Sequence, residues 1–438
     1  MDVAPNFLPA RVCRGGRRRG SQAQLDSGGT GMGGQKAGLG LTSNTRKYRI
    51  LHVIDHLGSG GAQEAVCQLV KYGQKERFQP EVVALHGFGH YWEVLRSWGV
   101  PVHSLVPQNF ARTAIPFIFL RLWRLLARHR YDIVHTHLIG ANVLAAPLAA
   151  LYRVPVRFTH DQTHDDVRDC SFVHRRLDTL ANRLNHHIIA VSSSIRTFLL
   201  QKELLPASKI SVIYNSVDLD RFSPKGGPEA WAQARQKLGL PAEALIVGGV
   251  GRLHYQKNFP LFLEVATGVC SRLPQVIFVI AGEGPERALL EEMSRKLGVA
   301  DRVRFLGFVK EMPELYQSLD LLLLTSHFEG TPLTVLEAMA MGVPVVASRV
   351  DGVEEVLEDS RDGILVAPGR QDLFIEGICR VLQDRHLWQR LSRAAQEKAR
   401  QCYSAEAMVR QVEALYFKYL EKGRASAYGG QALCLGNV

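Results

Sequence analysis

The sequence predicts an α/β protein made of two doubly wound domains, each a parallel sheet covered by helices on both faces, facing one another across a cleft. Three observations carry this. From residue 46 onward, short β-branched runs alternate with longer stretches of helical periodicity. The runs are continuously apolar instead of alternating, as strands buried on both faces must be. The pattern then stops at a linker holding Pro224, Gly226, Gly227 and Pro228, and starts again.

Taken in order, residues 1–45 are rich in Gly, Ser, Gln and Arg without apolar periodicity, and are expected to be a disordered tail. The first domain, 46–215, places strands at RILHVI (49–54), PEVVAL (80–85), DIVHTH (132–137), PVRFTH (155–160), HIIAVS (187–192) and ISVIYN (210–215). The second, 216–400, places them at ALIVGGVG (244–251), QVIFVIAG (275–282), VRFLGF (303–308), LDLLLLTS (319–326), VPVVAS (343–348) and GILVA (363–367). A closing helix is expected within 401–422 and a flexible tail over 423–438. Open α/β sheets bind ligands beyond the carboxyl ends of their strands, so the chemistry belongs in the cleft.

Composition narrows the class. The formal charge of +11 is concentrated in residues 1–215, which points to an anionic partner such as a membrane surface or a phosphorylated acceptor. Seven cysteines show no C-x-x-C or zinc-like spacing and read as reduced thiols of a cytoplasmic protein. The apolar stretch at 138–152 is shorter than the roughly 20 residues a membrane span needs and contains Asn142 and Pro147. No secretory signal is read at the N-terminus. The segment 114–130 mixes apolar residues with Arg121, Arg124, Arg128 and Arg130. It suits a membrane-surface helix, but a helix packed on its own sheet is preferred, since every unit of the fold needs one.

Three motifs follow predicted strands on the cleft side. In HLGSGGAQE (56–64), Gly58, Gly60 and Gly61 precede a helix expected from Ala62; a tight turn and a phosphate-approaching loop explain them about equally. In GRLHYQKN (251–258), Arg252 and Lys257 leave the first strand of the second domain, where two cations suit a diphosphate or a solvated surface. GEGPER (282–287) adds a glycine turn. In HFEGTPLTVLEAMAMGVPVVAS (327–348), Thr331 reads as N-cap and Pro332 as the first residue of a helix ending at Gly342. Its first-turn amides, near Leu333 and Thr334, face the cleft. Glu337 shares their side of the helix and Glu329 sits on the loop before it, so both carboxylates can converge on the sugar portions of one anionic ligand. His135 and His137 read as packing and hydrogen-bonding groups in preference to metal ligands. The D-x-D of Asp218 and Asp220 lies in the linker and is not read as a metal site.

The segment EGTPLTVLEAMAMGVPVVAS closely resembles the Glu-x7-Glu motif of glycosyltransferase family 4, retaining enzymes of the GT-B fold with two Rossmann-like domains. GRLHYQKN, GEGP and VIYNSVD (212–218) resemble that family's motifs in the same order, and the resemblance runs over 47–420. It implies that Arg252 and Lys257 hold a donor diphosphate, that Gly61 approaches a phosphate, and that Gly282 and Gly284 form part of the donor site. It implies further that Glu337 binds the ribose, Glu329 the transferred sugar, and that His160 lies near the reacting centre. Asn258 stands where glycine is common, and Gln63 where an acidic residue is frequent. The expected activity is transfer of a sugar from a nucleoside diphosphate sugar to a glycan or lipid-linked acceptor. No metal, other cofactor or nucleic acid is expected, and the location is cytoplasmic or peripheral to a membrane. A GT-B sugar-nucleotide epimerase and a non-catalytic sugar-nucleotide-binding subunit are the competing readings.

Overall fold

A computed structural model describes residues 46–432, apart from Ser59 and the stretches 107–113 and 163–171. The proposed tail 1–45 therefore lies outside the described residues, as do 433–438. Seven strands form the first sheet: β1 (Tyr48–Ile54), β2 (Phe78–Ala84), β3 (Val102–Ser104), β4 (Ile133–His137), β5 (Val156–Asp161), β6 (His187–Ala190) and β7 (Ile210–Val212). Six form the second: β8 (Leu245–Val250), β9 (Val276–Ala281), β10 (Val303–Gly307), β11 (Leu321–Leu324), β12 (Val345–Ser348) and β13 (Ile364–Val366). Every pairing within them is parallel.

Between the strands of the first sheet run α1 (Gly61–Tyr72), α2 (His90–Ser97), α3 (Ile115–Arg128), α4 (Ile139–Leu151), α5 (Phe172–Leu184) and α6 (Ser193–Gln201). The second half carries α7 (Pro228–Lys237), α8 (Phe259–Arg272), α9 (Arg287–Lys296), α10 (Met312–Ser318), α11 (Leu333–Met341), α12 (Asp351–Val356), α13 (Gln371–Gln383), α14 (Arg385–Cys402) and α15 (Ala405–Ala432). Strand order is β3-β2-β1-β4-β5-β6-β7 in one sheet and β10-β9-β8-β11-β12-β13 in the other. Both orders reverse direction once, between β1 and β4 and between β8 and β11. These are the points where neighbouring strands send their following loops to opposite sides and leave a crevice.

All twelve strands expected from the sequence form, most with ends trimmed by one to a few residues, while β1 and β2 start one and two residues earlier than expected. β3 is the addition: a three-residue edge strand too short to register as an apolar run. Helix α11 starts one residue later than expected, because Pro332, in an extended conformation, takes the N-cap position. Thr331 turns away from the helix and donates its hydroxyl to the Val191 carbonyl of the first sheet's domain. Gly342 ends the helix at φ 73°, a left-handed conformation that glycine adopts without a Cβ clash.

Helix α15 closes the structure by crossing back onto the first sheet. Met408, Val409, Val412, Tyr416 and Leu420 pack with Ile50, Phe78, Ile133 and Phe158 in one core. The helix runs to Ala432, ten residues past the end expected from its sequence pattern; extending a helix already anchored by packing costs little per residue. Among the described residues no helix is long and apolar enough to cross a membrane.

Candidate active site

The loops after β1, β8 and β11 all leave from the switch points of the two sheets, and they bring the glycine, basic and glutamate motifs to one place. Helix α1 begins at Gly61, and α11 begins opposite. A Cβ placed on Gly61 would stand 3.5 Å from Leu333 Cδ1 and 3.6 Å from Gln162 Oε1. The N-termini of two helices thus face one small region from opposite domains. In α11 the first helical acceptor bond is that of Val335 N–H to Pro332 O, leaving the amides of Leu333 and Thr334 ahead of it. Such ends carry partial positive charge and unused N–H donors. Thr334 Oγ1 and Gln162 Nε2 are buried with no hydrogen-bond partner among the described residues, an arrangement natural proteins seldom keep without a ligand or water to complete it.

Basic charge comes from the loop after β8. Arg252 is exposed there, close enough to His56 of the first domain that its charge helps to hold that imidazole below its ordinary pKa, after the larger effect of burial. Lys257 closes a 3-10 turn (Tyr255–Lys257), and Asn258 follows it at φ 47°, ψ 51°. That left-handed conformation suits glycine, and asparagine is among the few other residues that take it readily, so Asn258 keeps the geometry of the turn.

The loop that carries Arg252 is held by the two glycines of the next strand exit. A Cβ on Gly282, whose φ is 145°, would fall 1.9 Å from the Gly251 carbonyl oxygen, and one on Gly284 would fall 2.2 Å from that of Leu253. Backbone bonds from Leu253 N to Glu283 O and from Glu286 N to Leu253 O stitch the two turns together. Gly282 and Gly284 therefore shape the site by letting two backbones touch.

The two glutamates have different surroundings. Glu329 is buried; its Oε1 accepts from Lys257 Nζ at 2.6 Å and from Ser326 Oγ at 2.7 Å. Glu337 accepts from Tyr316 Oη at 2.7 Å. Burial pushes its carboxyl up to about 8; the Tyr316 hydrogen bond works in the opposite direction, and the negative charge of Glu64 adds to the rise. Glu64 comes from α1, takes a 2.5 Å hydrogen bond from Tyr91 Oη, and lies 3.6 Å from the Arg221 guanidinium of the linker. The chain Tyr91–Glu64–Arg221 thus reaches from the first domain to the neighbourhood of Glu337. None of Glu64, Tyr91, Gln162, Arg221 or Tyr316 was singled out by motif, since they come together only through tertiary packing.

His160 sits near the cleft end of β5, but it is only 1% exposed, and neither ring nitrogen has a hydrogen-bond partner among the described residues. It packs parallel to His135 with centroids 5.7 Å apart and interplanar angle 6°, and lies 5.7 Å from His137. Its backbone therefore reaches the cleft end of the sheet while its ring joins a buried row. His52 completes that row: its Nδ1 is 3.1 Å from His137 Nε2, and His135 Nδ1 is 2.6 Å from Tyr416 Oη. Ring nitrogens of His52, His135 and His137 lie within 4.8 Å of one another, a donor set chemically able to ligate a transition metal. Three of the nitrogens in the row are already engaged with each other or with Tyr416. Asp218 is engaged too: it accepts from Lys71 Nζ and Tyr72 Oη, both at 2.6 Å, which ties the linker to α1.

The domains are joined beside the site. The Glu355 carboxylate of α12 accepts from the amides of Ser193 and Ser194 at the start of α6, at 2.8–3.3 Å. Asn215 Nδ2 donates to Thr331 O.

Two facing parallel-sheet domains, with helix N-termini and basic side chains at their switch points, are the architecture of the GT-B fold. The model of "Glycosyltransferase Family 4" matches residues 59–221, and that of "Glycosyl transferases group 1" matches 232–398. The chain belongs to glycosyltransferase family 4 and is a glycosyltransferase. It is 30% identical over 279 residues to an Escherichia coli UDP-Gal:alpha-D-GlcNAc-diphosphoundecaprenol alpha-1,3-galactosyltransferase, covering 61% of this chain and 70% of that one. It is 27% identical over 296 residues to the alpha-D-kanosaminyltransferase of Streptomyces kanamyceticus, covering 65% and 76%. In fold it resembles Anabaena HepE in complex with UDP-glucose, with TM-score 0.76, 24% identity and coverage of 84% of this chain and 99% of HepE.

Proposed function

We propose that this protein is a retaining glycosyltransferase that moves a sugar from a nucleoside diphosphate sugar, a UDP-sugar first among the candidates, to a glycan or lipid-linked acceptor on the cytoplasmic side of a membrane. The observation that carries the reading is the pairing of Lys257, on the loop that also carries Arg252, with Glu329 just before the N-terminus of α11, and Glu337 one turn further along the helix on the same face as Leu333 and Thr334. In this reading Arg252, Lys257 and the amides of Leu333 and Thr334 take the diphosphate, and Gly61 lets the α1 N-terminus approach it. Charge growing on the leaving diphosphate is then met by fixed donors, the largest usual contribution to such catalysis. Glu337 accepts from ribose hydroxyls. Glu329 faces the sugar and stabilises positive charge developing at its anomeric carbon. His160 presents the cleft end of β5 toward the same centre.

Retention of the anomeric configuration is the expectation that the family resemblance carries, and among the described residues no second carboxylate is placed to act as a nucleophile. The acceptor hydroxyl attacks from the face the diphosphate leaves, giving up its proton to a departing phosphate oxygen. The basic groups take the place of a divalent cation. UDP-sugar use is supported by the UDP-glucose complex of the structural relative HepE, and a diphospholipid-linked acceptor by the name of the E. coli galactosyltransferase.

The test offers UDP-, GDP- and ADP-hexoses with a diphospholipid-linked sugar acceptor, and follows nucleoside diphosphate release and product anomer by NMR. Acceptor-dependent release with an axial donor giving an axial product is expected. An equatorial product would overturn retention, and an isomerised donor formed without acceptor would overturn transfer in favour of epimerisation.

A further inference from the structure

Two carboxylates and one guanidinium meet where the first domain approaches Glu337. Glu64 stands in the first turn of α1, 7% exposed, and accepts from Tyr91 Oη of α2 at 2.5 Å and from Gln68 Nε2 at 3.3 Å. Its Oε2 also lies 3.6 Å from the Arg221 guanidinium of the linker. Glu337, on α11, accepts from Tyr316 Oη of α10 and is near enough to both Glu64 and Arg221 to feel their opposite charges. Segments from both domains and the linker thus share one charged cluster, and among the described residues Arg221 is the cation common to its two carboxylates.

Helix α1 opens at Gly61 toward the donor diphosphate, so a buried carboxylate in its first turn works against the ligand. Anchoring the linker does not require that charge: Gln68 with Ser216 and Lys71 with Asp218, further along the same face of α1, already do so. What Glu64 adds is competition for Arg221. One guanidinium cannot fully neutralise two carboxylates, and buried carboxylates close to one another do not ionise independently. Glu337 is the one that yields: burial above all raises its carboxyl to about 8, Glu64 adding to the rise while the Tyr316 hydrogen bond and Arg221 oppose it. The other groups of the cluster stay neutral around it. Burial pushes up the Tyr91 and Tyr316 phenols and the Cys67 thiol, and it holds the His90 imidazole, which also faces Arg221 and Glu64, below its ordinary value.

We propose that Glu64 and Arg221 are positioning residues for the ribose of the donor, acting on Glu337 in opposite directions: Arg221 favours the ionised carboxylate that accepts from ribose hydroxyls, and Glu64, from the first domain, restrains it until a nucleotide is bound. An ionised carboxylate offers acceptors only, whereas the protonated form must keep one oxygen as a donor. Nucleotide binding therefore draws Glu337 into its ionised form, and the proton passes to the solvent. The inference rests on the assignment of the ribose to Glu337, and deepens it by making nucleotide affinity depend on a side chain of the opposite domain.

Titration calorimetry of the full chain with UDP between pH 7 and 9, where the nucleotide has already lost its last phosphate proton, reads the effect. In the parent, affinity should rise with pH through about 8, and the heat at pH 7.5 should vary with the ionisation enthalpy of the buffer, as release of a proton requires. Glu64→Gln should tighten UDP roughly threefold at pH 7.5 and move the rise to lower pH, and Arg221→Gln should weaken it roughly eightfold and move the rise higher; both factors correspond to a tenfold change in the ionisation constant of Glu337. Arg221→Lys should restore the parent profile. A merely structural role would lower affinity and melting temperature in both variants alike. On a Glu337→Gln background neither substitution should alter UDP affinity further. Effects of the same sign from Glu64→Gln and Arg221→Gln, or effects that persist beside Glu337→Gln, overturn the proposal. UDP affinity left untouched by Glu337→Gln overturns the ribose assignment itself, and this inference with it.

Discussion

Lys257 Nζ lies 2.6 Å from Glu329 Oε1, and both side chains are largely withdrawn from water. The pair joins a group assigned to the diphosphate to one assigned to the sugar, so each holds the other in place before a donor arrives. Breaking such a pair leaves an uncompensated charge. Lys257→Ala is expected to destabilise the protein by about 3 kcal/mol, and a following Glu329→Gln to recover most of the loss. Urea unfolding of the two single variants and the double variant checks this; equal losses that simply add would show that the pair contributes no coupling.

Two kinds of glycine are separated by the contacts a methyl group would make. At Gly282 an added Cβ would fall 1.9 Å from a carbonyl oxygen, so Gly282→Ala should lower the melting temperature by many degrees and disorder the Arg252 loop. At Gly61 the nearest atom would be 3.5 Å away, an ordinary contact. Gly61→Ala should fold and melt like the parent while losing affinity for nucleoside diphosphate, because the methyl occupies the approach of the phosphate to the α1 amides. Thermal melts beside nucleotide titration distinguish the two outcomes.

Stability should depend on pH from both sides. Glu337 is raised to about 8 from an ordinary 4.5, so the folded state holds a proton that the unfolded chain has given up, and stability is lost as pH rises through 8. Between pH 6.5 and 8.5 the parent should lose more melting temperature than Glu337→Gln does. On the acid side, burial lowers His52 to about 3 and His160 to about 4, against 6.5 when unfolded. There the unfolded chain binds more protons, so stability falls as pH drops below about 6.5. A melting temperature that stayed flat from pH 4.5 to 8.5 would contradict both assignments.

Activity should survive chelation. The donor diphosphate is assigned to Arg252, Lys257 and helix amides, and Asp218 is committed to Lys71 and Tyr72. Turnover in EDTA equal to that in buffer is expected; loss restored only by Mg²⁺ or Mn²⁺ would contradict the assignment.

Much of the architecture was legible because it rests on local chemistry. Apolar runs such as VRFLGF and LDLLLLTS give parallel strands, and Pro332 and Gly342 bracket α11 to within a residue. Thr331 misled because its hydroxyl has two uses, and a carbonyl from another domain, that of Val191, outcompetes the local amide. β3 was missed because three edge residues leave little pattern. The surroundings of Glu337 were illegible for a different reason. Tyr316 and Glu64 lie 21 and 273 positions away in sequence, and only the packing of α10 and α1 brings them near. The histidine row was half visible: H-T-H put His135 and His137 on one face of β4, but adding His52 and His160 needs the register of three strands. The segment 114–130 was read as a helix packed on its own sheet in preference to a membrane surface, and Ile118, Leu122 and Leu126 of α3 pack there.

The central claim is a division of labour between Glu337 and Glu329, and titration calorimetry with bare UDP beside donor kinetics tests it most directly. Glu337→Ala should raise the dissociation constant for UDP and the KM for the UDP-sugar alike, since its ribose contacts exist before and during reaction. Glu329→Gln should keep the affinity for UDP, because it frees Lys257 for the phosphates, while kcat falls roughly 10²-fold. A Glu329 variant that lost UDP affinity as strongly as the Glu337 variant, or that kept full kcat, would contradict the account.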